Sequence, residues 1–233
     1  MCDSVAPWEY GSAVRCTALP DFWNYNSLRA EGPLPDVTAD TLARTADRLQ
    51  GDLEHRQVEV EDEAAGERLR PGFAALGWVA ERLVWMRLQG PPPDGPGFDE
   101  VPFEATRELR LAWTRTAAWS TSEETALRFS QLEEAVAGMR ASRALLARDA
   151  AGEPVGFAIF QARDGGAEVE QAYVVPERRG HGTGGALVAA AARAAEADQT
   201  FIVADDEGDP KRLYLRLGFT PVWRQHVFTR RPG

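Results

Sequence analysis

The sequence predicts an α/β (α+β) fold, and three observations carry that prediction. Residues 167–198 read as strand, glycine-rich loop and helix. Ala167 to Val175 nearly alternates β-branched or aromatic residues with polar ones, the pattern of a half-buried strand. Pro176 ends it, and the Ala-rich run Ala186–Ala197 reads as helix. Second, strand–helix–strand–helix–strand is read over 21–88 and again over 167–230. Third, Arg143–Arg148 and Val155–Gln161 flank the turn Asp149–Glu153 as a β-hairpin.

The elements follow in order. Val14–Leu19 and the aromatic stretch Asp21–Arg29 read as strands, and Pro33 and Pro35 mark a loop. A helix from Thr38, its cap, to Leu49 buries Leu42, Ala46 and Leu49 on one face. Arg56–Glu61 is a strand, and Ala64–Leu76 a helix interrupted or kinked near Pro71. Trp78–Leu88 is a strand, and the Pro/Gly-rich 90–97 a linker. Two helices cover 103–115 and 122–139, the second opening on Ser120-Thr121-Ser122-Glu123-Glu124 in the manner of a capping box. Beyond the loop come a buried strand at 200–204, a short helix at 210–217 and a last strand at 220–229. Leu76-Gly77-Trp78 aligns with Leu217-Gly218-Phe219 at an offset of 141, pairing Phe73 with Tyr214 and hinting at an internal repeat.

The loop carries the chemistry. Gly180, Gly182, Gly184 and Gly185 follow Arg178 and Arg179 and precede a helix. Free N–H groups and the dipole at such a helix start attract an anion, and glycines let backbone approach phosphate oxygens. Two spacings compete. Gly180-x-Gly182-x-x-Gly185, with Asp205 20 residues beyond, fits a dinucleotide fingerprint. Only 48 residues remain after Gly185, too few for the rest of a doubly wound sheet. Arg179-x-x-Gly182-x-Gly184 resembles instead the R/Q-x-x-G-x-G/A acyl-CoA loop of the GNAT superfamily of N-acyltransferases. Leu213-Tyr214-Leu215-Arg216-Leu217-Gly218-Phe219 resembles that family's later L-Y-x-x-x-G-F segment, in the expected order. Glu207 stands where the family often carries Asn.

This resemblance covers about residues 100–233. It implies a mixed, mostly antiparallel sheet flanked by helices, with acetyl-CoA as co-substrate. It also suggests a tandem chain: a degenerate GNAT-like domain at 1–90, a linker at 91–98 and a complete domain at 99–233. The main-chain groups of Val174 and Val175 would hold the pantetheine arm, beside a bulge that splays two parallel strands. Arg179, Gly180, His181, Gly182, Thr183, Gly184 and Gly185 would cradle the diphosphate, with the His181 side chain a bystander. Acetylating an amine requires removal of a proton, because an amine of pKa near 10.4 is protonated at neutral pH. Glu168 and Glu170, two apart on one strand, are the candidate bases, and the family often carries a carboxylate at the Glu168 position. Tyr214 is the candidate acid for the departing thiolate.

The totals narrow the partners. A net charge of −10 argues against nucleic acid and suits a cationic amine of a small molecule or peptide. The acidic run Asp205, Asp206, Glu207, Asp209 would attract that amine; Trp8, Phe22, Trp23, Tyr25, Trp113 and Trp119 could line its pocket. Of 26 basic residues only Lys211 is a lysine, which points to genome composition. Cys2 and Cys16 lack metal-ligand spacing, so no metal site is expected. No membrane span or leader is read, so a cytoplasmic protein is expected, with a homodimer left open. The alternative to an enzyme is a non-catalytic acyl-CoA-binding sensor or partner-binding protein.

Overall fold

The computed structural model describes residues 2–20, 22–117, 120 and 122–232. They divide into two compact units. One takes the chain up to Trp85, then Ala204–Glu207 and the stretch from Val222 onward; the other takes Met86–Val203 and Gly208–Pro221.

In the first unit, β1 (Ser4–Trp8), β2 (Gly11–Arg15) and β3 (Leu28–Ala30) form an antiparallel meander. Helix α1 (Ala39–Leu49) then crosses to β4 (Arg56–Val60), parallel to β3 with Leu28 opposite Val58 and Ala30 opposite Val60. Helix α2 (Glu63–Ala75) follows, then β5 (Val79–Leu88). The strand expected to start at 21 is a 3₁₀ turn, Trp23–Tyr25, leading into the short β3; Asp21 lies outside the described residues. Asn26 explains the difference. Its side chain accepts from the Cys16 amide at 3.0 Å and donates to the Leu19 and Phe22 carbonyls at 2.8 and 3.0 Å. A side chain that bonds its own neighbourhood draws backbone away from a ladder. The strand expected over 14–19 starts earlier and stops at Arg15.

In the second unit, Arg193 donates to the carbonyls of Pro93 and, at 2.9 Å, Pro96, holding the proline-rich stretch 90–98 against its own helix. Then come β6 (Asp99–Val101), a 3₁₀ turn at Phe103–Thr106, α3 (Arg107–Thr116), α4 (Glu123–Arg140), β7 (Arg143–Arg148), β8 (Pro154–Arg163), β9 (Gly166–Val174), α5 (Thr183–Ala194), β10 (Gln199–Asp205) and α6 (Pro210–Arg216). The strands order β6-β7-β8-β9-β10, antiparallel except for β9 and β10. The sheet is thus mixed and mostly antiparallel, with helices flanking it. The last strand, β11 (Phe219–Arg230), returns to the first unit, where His226–Arg230 pair antiparallel with β4.

Local chemistry places the helices. Thr38 accepts from the Thr41 amide at 3.2 Å and Ser122 from the Thr125 amide at 3.1 Å, each satisfying a donor the first helical turn leaves open. Thr121, read as part of the second cap, lies outside the described residues. Helix α2 runs through Pro71 and is not broken there. Two of its glycines are required by packing. A Cβ on Gly66 would sit 2.1 Å from the His226 ring, and one on Gly72 would sit 2.8 Å from the Ala39 Cβ. Leu28, Leu42, Val58, Leu69, Phe73 and Phe228 form the first core, with Phe73 stacked on Phe228 at 4.1 Å. Leu109, Leu146, Phe157, Ile159 and Tyr173 form a core of the second unit.

Candidate functional site

The loop between β9 and α5 is the most chemically distinctive backbone of the second unit. Pro176–Arg178 make one 3₁₀ turn, and Gly180 and Gly182 both take φ of +83°, a left-handed conformation that side chains disfavour. Gly182 is the N-cap of α5, which therefore starts at Thr183, three residues before the start read from the alanines. A glycine cap has no side chain to accept the first amides. Among the described residues, no protein acceptor takes the N–H groups of Gly180, His181, Gly182, Thr183, Gly184 or Gly185. These amides start a helix whose dipole favours an anion. A Cβ on Gly180 or Gly182 would meet nothing within 4 Å, so the space over the turn is open. Side chains fix the loop from both ends. Arg178 pairs with Asp149 of the β7–β8 turn at 2.6 Å, and Arg179 Nε donates to the Val174 carbonyl at 2.9 Å. His181 is exposed, with Nδ1 2.9 Å from the Arg179 carbonyl.

Strand β9, which leads into this loop, carries both glutamates. Its ladder with β10 runs only from Gly166/Gln199 to Val169/Ile202, so Glu170–Val174 have no β10 residue beside them. On the β8 side, Ile159 faces Gln171 and Phe160 faces Val169, which makes Glu170 the extra residue of a bulge. The irregularity expected at Val174 and Val175 thus lies four residues earlier. At those valines the main chain is engaged: Val175 N donates to the Val155 carbonyl at 3.0 Å and Val175 O accepts from Arg178 N at 3.0 Å.

Glu168 and Glu170 differ sharply in company. Glu168 accepts from Gln161 Nε2 at 3.3 Å. Its carboxyl is held above the usual range, first by burial and then by the nearby charge of Glu170, against smaller opposing effects of Gln161 and Arg140. Glu170 is held at Oε1 by Arg140 and at Oε2 by Ser142, 3.3 Å away. Behind them lies a network that nothing in the sequence singled out. Arg110 on α3 is fully buried and donates to Glu133 and Glu134 of α4, each at 2.9 Å, and to Thr106 at 3.0 Å. Burial pushes the Glu133 carboxyl up to about 7 despite the Arg110 charge, with Glu170 and Glu134 adding to the rise. A charged residue at one position of an amphipathic helix carries no signal of burial, so Arg110, Glu133 and Arg140 emerge only from the fold.

Tyr214 lies on α6, which packs on the first turn of α5; a Cβ on Gly185 would meet Leu213 Cδ1 at 3.2 Å. The tyrosine is buried beside Phe219, their ring centroids 6.2 Å apart, and burial raises its phenol pKa, keeping the proton on at neutral pH.

Other expected features disperse. The acidic run is largely neutralised: Asp206 is buried between Arg82 and Arg224 at 2.8 and 2.9 Å, and Glu207 pairs with Arg70 at 2.7 Å. Trp8, Phe22, Trp23 and Tyr25 fall in the first unit, where Phe22 stacks on Tyr25 and Trp23 on His55; Trp113 falls in the second, near Phe129. Trp119 lies outside the described residues. Among the described residues, no group of three His, Cys, Asp or Glu is placed to hold a metal ion, and no helix is long and apolar enough to cross a membrane.

The site thus combines a row of open amides at a helix start with a strand, β9, that pairs with its parallel neighbour β10 only up to Val169. Residues 140–221 match the family model of the acetyltransferase (GNAT) domain. Domains of that family carry out acyl-CoA-dependent acyl transfer, with acetyl-CoA as co-substrate. Solved structures share the fold. A functionally unknown conserved protein from Staphylococcus epidermidis superposes with a TM-score of 0.81 at 16% identity, covering 100% of this chain and 95% of that one. A GCN5-related N-acetyltransferase from Kribbella flavida gives 0.57 at 20% identity, covering 88% and 80%. A tandem GNAT protein from the clavulanic acid biosynthesis pathway gives 0.53 at 16% identity, covering 83% and 69%. No curated protein matches by sequence.

Proposed function

We propose that the protein transfers an acetyl group from acetyl-CoA to a primary amine of a small molecule or peptide, by direct attack within a ternary complex. The observation that carries this reading is the row of amides at 180–185 with no protein acceptor among the described residues. Arg179 and these amides would receive the diphosphate. The Val174 carbonyl, now bonded to Arg179, would become available to the pantetheine arm as that side chain turns to the phosphates. Glu168 takes a proton from the substrate ammonium; the neutral nitrogen attacks the thioester carbon; the C–S bond breaks. Tyr214 gives its proton to the departing sulfur and is restored by the second proton that the attacking nitrogen loses, so the products are the amide, free coenzyme A and one net proton.

Residues 1–90 would be a degenerate copy of this domain, and 91–98 a joint leading to the complete domain at 99–233. The parallel pairs β3/β4 and β9/β10, each bridged by one helix, support the copy. The protein would act as a soluble cytoplasmic enzyme. The decisive measurement is calorimetric binding of acetyl-CoA followed by thiol release against a panel of amines. Micromolar binding and amine-dependent thiol release are expected. Binding without release across the panel would favour a non-catalytic acyl-CoA sensor, and no binding at all would remove the proposal.

A further inference from the structure

Strand β9 offers two carboxylates to a reaction that needs one base. We infer that Arg140, at the C-terminal end of α4, is a positioning residue that clamps Glu170 and leaves Glu168 as the group that takes the proton; the inference rests on the acyltransferase reading above.

The geometry distinguishes the two side chains. Both oxygens of Glu170 are engaged, Oε1 by Arg140 Nη1 at 2.5 Å and Oε2 by the Ser142 hydroxyl at 3.3 Å. Both partners come from one tight connection, where Ala141 takes φ of +54° to turn α4 directly into β7. The ion pair is largely buried, with 32% of the Arg140 and 18% of the Glu170 side chain exposed. A carboxylate held by a guanidinium has part of its lone-pair density committed, and accepting a proton would forfeit the pair. Glu170 is also the bulge residue of β9, so its backbone leaves the register its neighbours keep.

Among the described residues Glu168 has one neutral donor, Gln161 Nε2 at 3.3 Å on one oxygen. The charged groups that act on it are Glu170 from its own strand and Arg140 from α4, while β8 contributes the uncharged Gln161. The charge of Glu170 also acts on Glu133 of α4, which Arg110 of α3 holds at 2.9 Å. Burial and the fixed negative charge of Glu170 both raise the proton affinity of Glu168, the direction a general base needs. Arg140 thus acts twice: it fixes Glu170 as a stationary charge and partly offsets that charge at Glu168.

The test uses the full chain and two readouts. Side-chain carboxyl 13C resonances of Glu168, assigned with Glu168→Gln, are titrated in the wild type, Arg140→Gln and Arg140→Lys. Arg140→Gln should move the Glu168 midpoint upward by about half a pH unit or more, and Arg140→Lys should restore most of it. An unmoved midpoint in folded Arg140→Gln overturns the inference. The second readout is the pH profile of kcat/KM for thiol release in Glu168→Gln and Glu170→Gln. Loss of the acid limb in Glu168→Gln, with the limb kept in Glu170→Gln, supports the assignment; the reverse pattern overturns it even if Arg140→Gln fails to fold. A chain that binds acetyl-CoA but releases no thiol with any amine overturns the acyltransferase reading. An active chain whose acid limb follows Glu170 overturns the inference alone.

Discussion

The β3–α1–β4 crossover and the β9–α5–β10 crossover are built to one plan and finished differently. In each, a short antiparallel meander leads into a strand, a helix crosses over, and the next strand pairs parallel to the first. Each is followed by a helix that ends on a glycine of positive φ, Gly77 at +76° and Gly218 at +92°, before a long strand. The helix starts differ. Thr38 caps α1 with its own hydroxyl, and Arg68 from α2 covers the approach by donating to the carbonyls of Leu34 and, at 2.7 Å, Val37. Gly182 caps α5 with nothing, and its neighbouring amides stay open. Phe73 and Tyr214 repeat the contrast: one fills a core completely, the other carries a hydroxyl on the helix that packs against the open turn. The same topology closes its helix start with internal partners in one case and leaves the amides open in the other.

Exchanging that last pair tests the contrast most sharply. Tyr214→Phe should lower kcat by about 10²-fold or more while leaving acetyl-CoA affinity within about twofold, measured by thiol release and calorimetry. Equal turnover in the variant would take Tyr214 out of the reaction. The opposite substitution, Phe73→Tyr, would bury a hydroxyl in a fully packed aromatic stack; a loss of about 1–3 kcal/mol in urea unfolding is expected, with the kinetics of the folded chain unchanged.

The two units should also respond to pH in opposite senses. His55, buried against Trp23 and donating through Nε2 to the Asn26 carbonyl at 3.1 Å, is held down to about 4, first by burial, partly offset by that hydrogen bond. The unfolded chain takes up this proton near pH 6.5 while the folded one does not. Stability is therefore fully present above about 6.5 and declines as pH falls toward 4, by up to ~3 kcal/mol. Glu133 works the other way: its carboxyl, at about 7, is protonated in the fold over a range where the unfolded chain has lost the proton. Its contribution is present below its unfolded value of 4.5 and is lost as pH rises through about 7. Amide exchange should show first-unit protection weakening toward pH 4, and His55→Gln should flatten that decline. A decline that persists unchanged in the variant would assign it to other groups.

The smallest effect expected is at the first helix cap. Thr38→Ala should cost about 1 kcal/mol of first-unit stability and leave acetyl-CoA binding untouched. Weaker cofactor binding in this variant would mean that the first crossover, too, contributes to the site.

Much of this was legible beforehand where local chemistry decides it. The hairpin around Asp149, the Thr38 cap and the strand at Arg56 all follow from periodicity and turn residues, and the structure bears them out. The stretch 21–29 misled because aromatic residues favour strands on average, whereas Asn26 settles that segment by three side-chain bonds. The acidic run 205–209 looked like an open attractor, yet arginines 120 or more residues earlier, Arg70 and Arg82, hold its middle. The two glutamates were found as a pair, but alternation alone could not rank them.

The chain's own order of residues determined the type of most elements and the glycine-rich turn ahead of α5, because these depend on steric preferences of residues close in sequence. Only the tertiary structure decided which charges are spent and which remain. Arg140 reaching Glu170, Arg110 buried beneath Glu133, and Arg82 facing Asp206 are pairings across tens of residues or more. Their strength depends on burial and distance, and neither exists until the chain has folded.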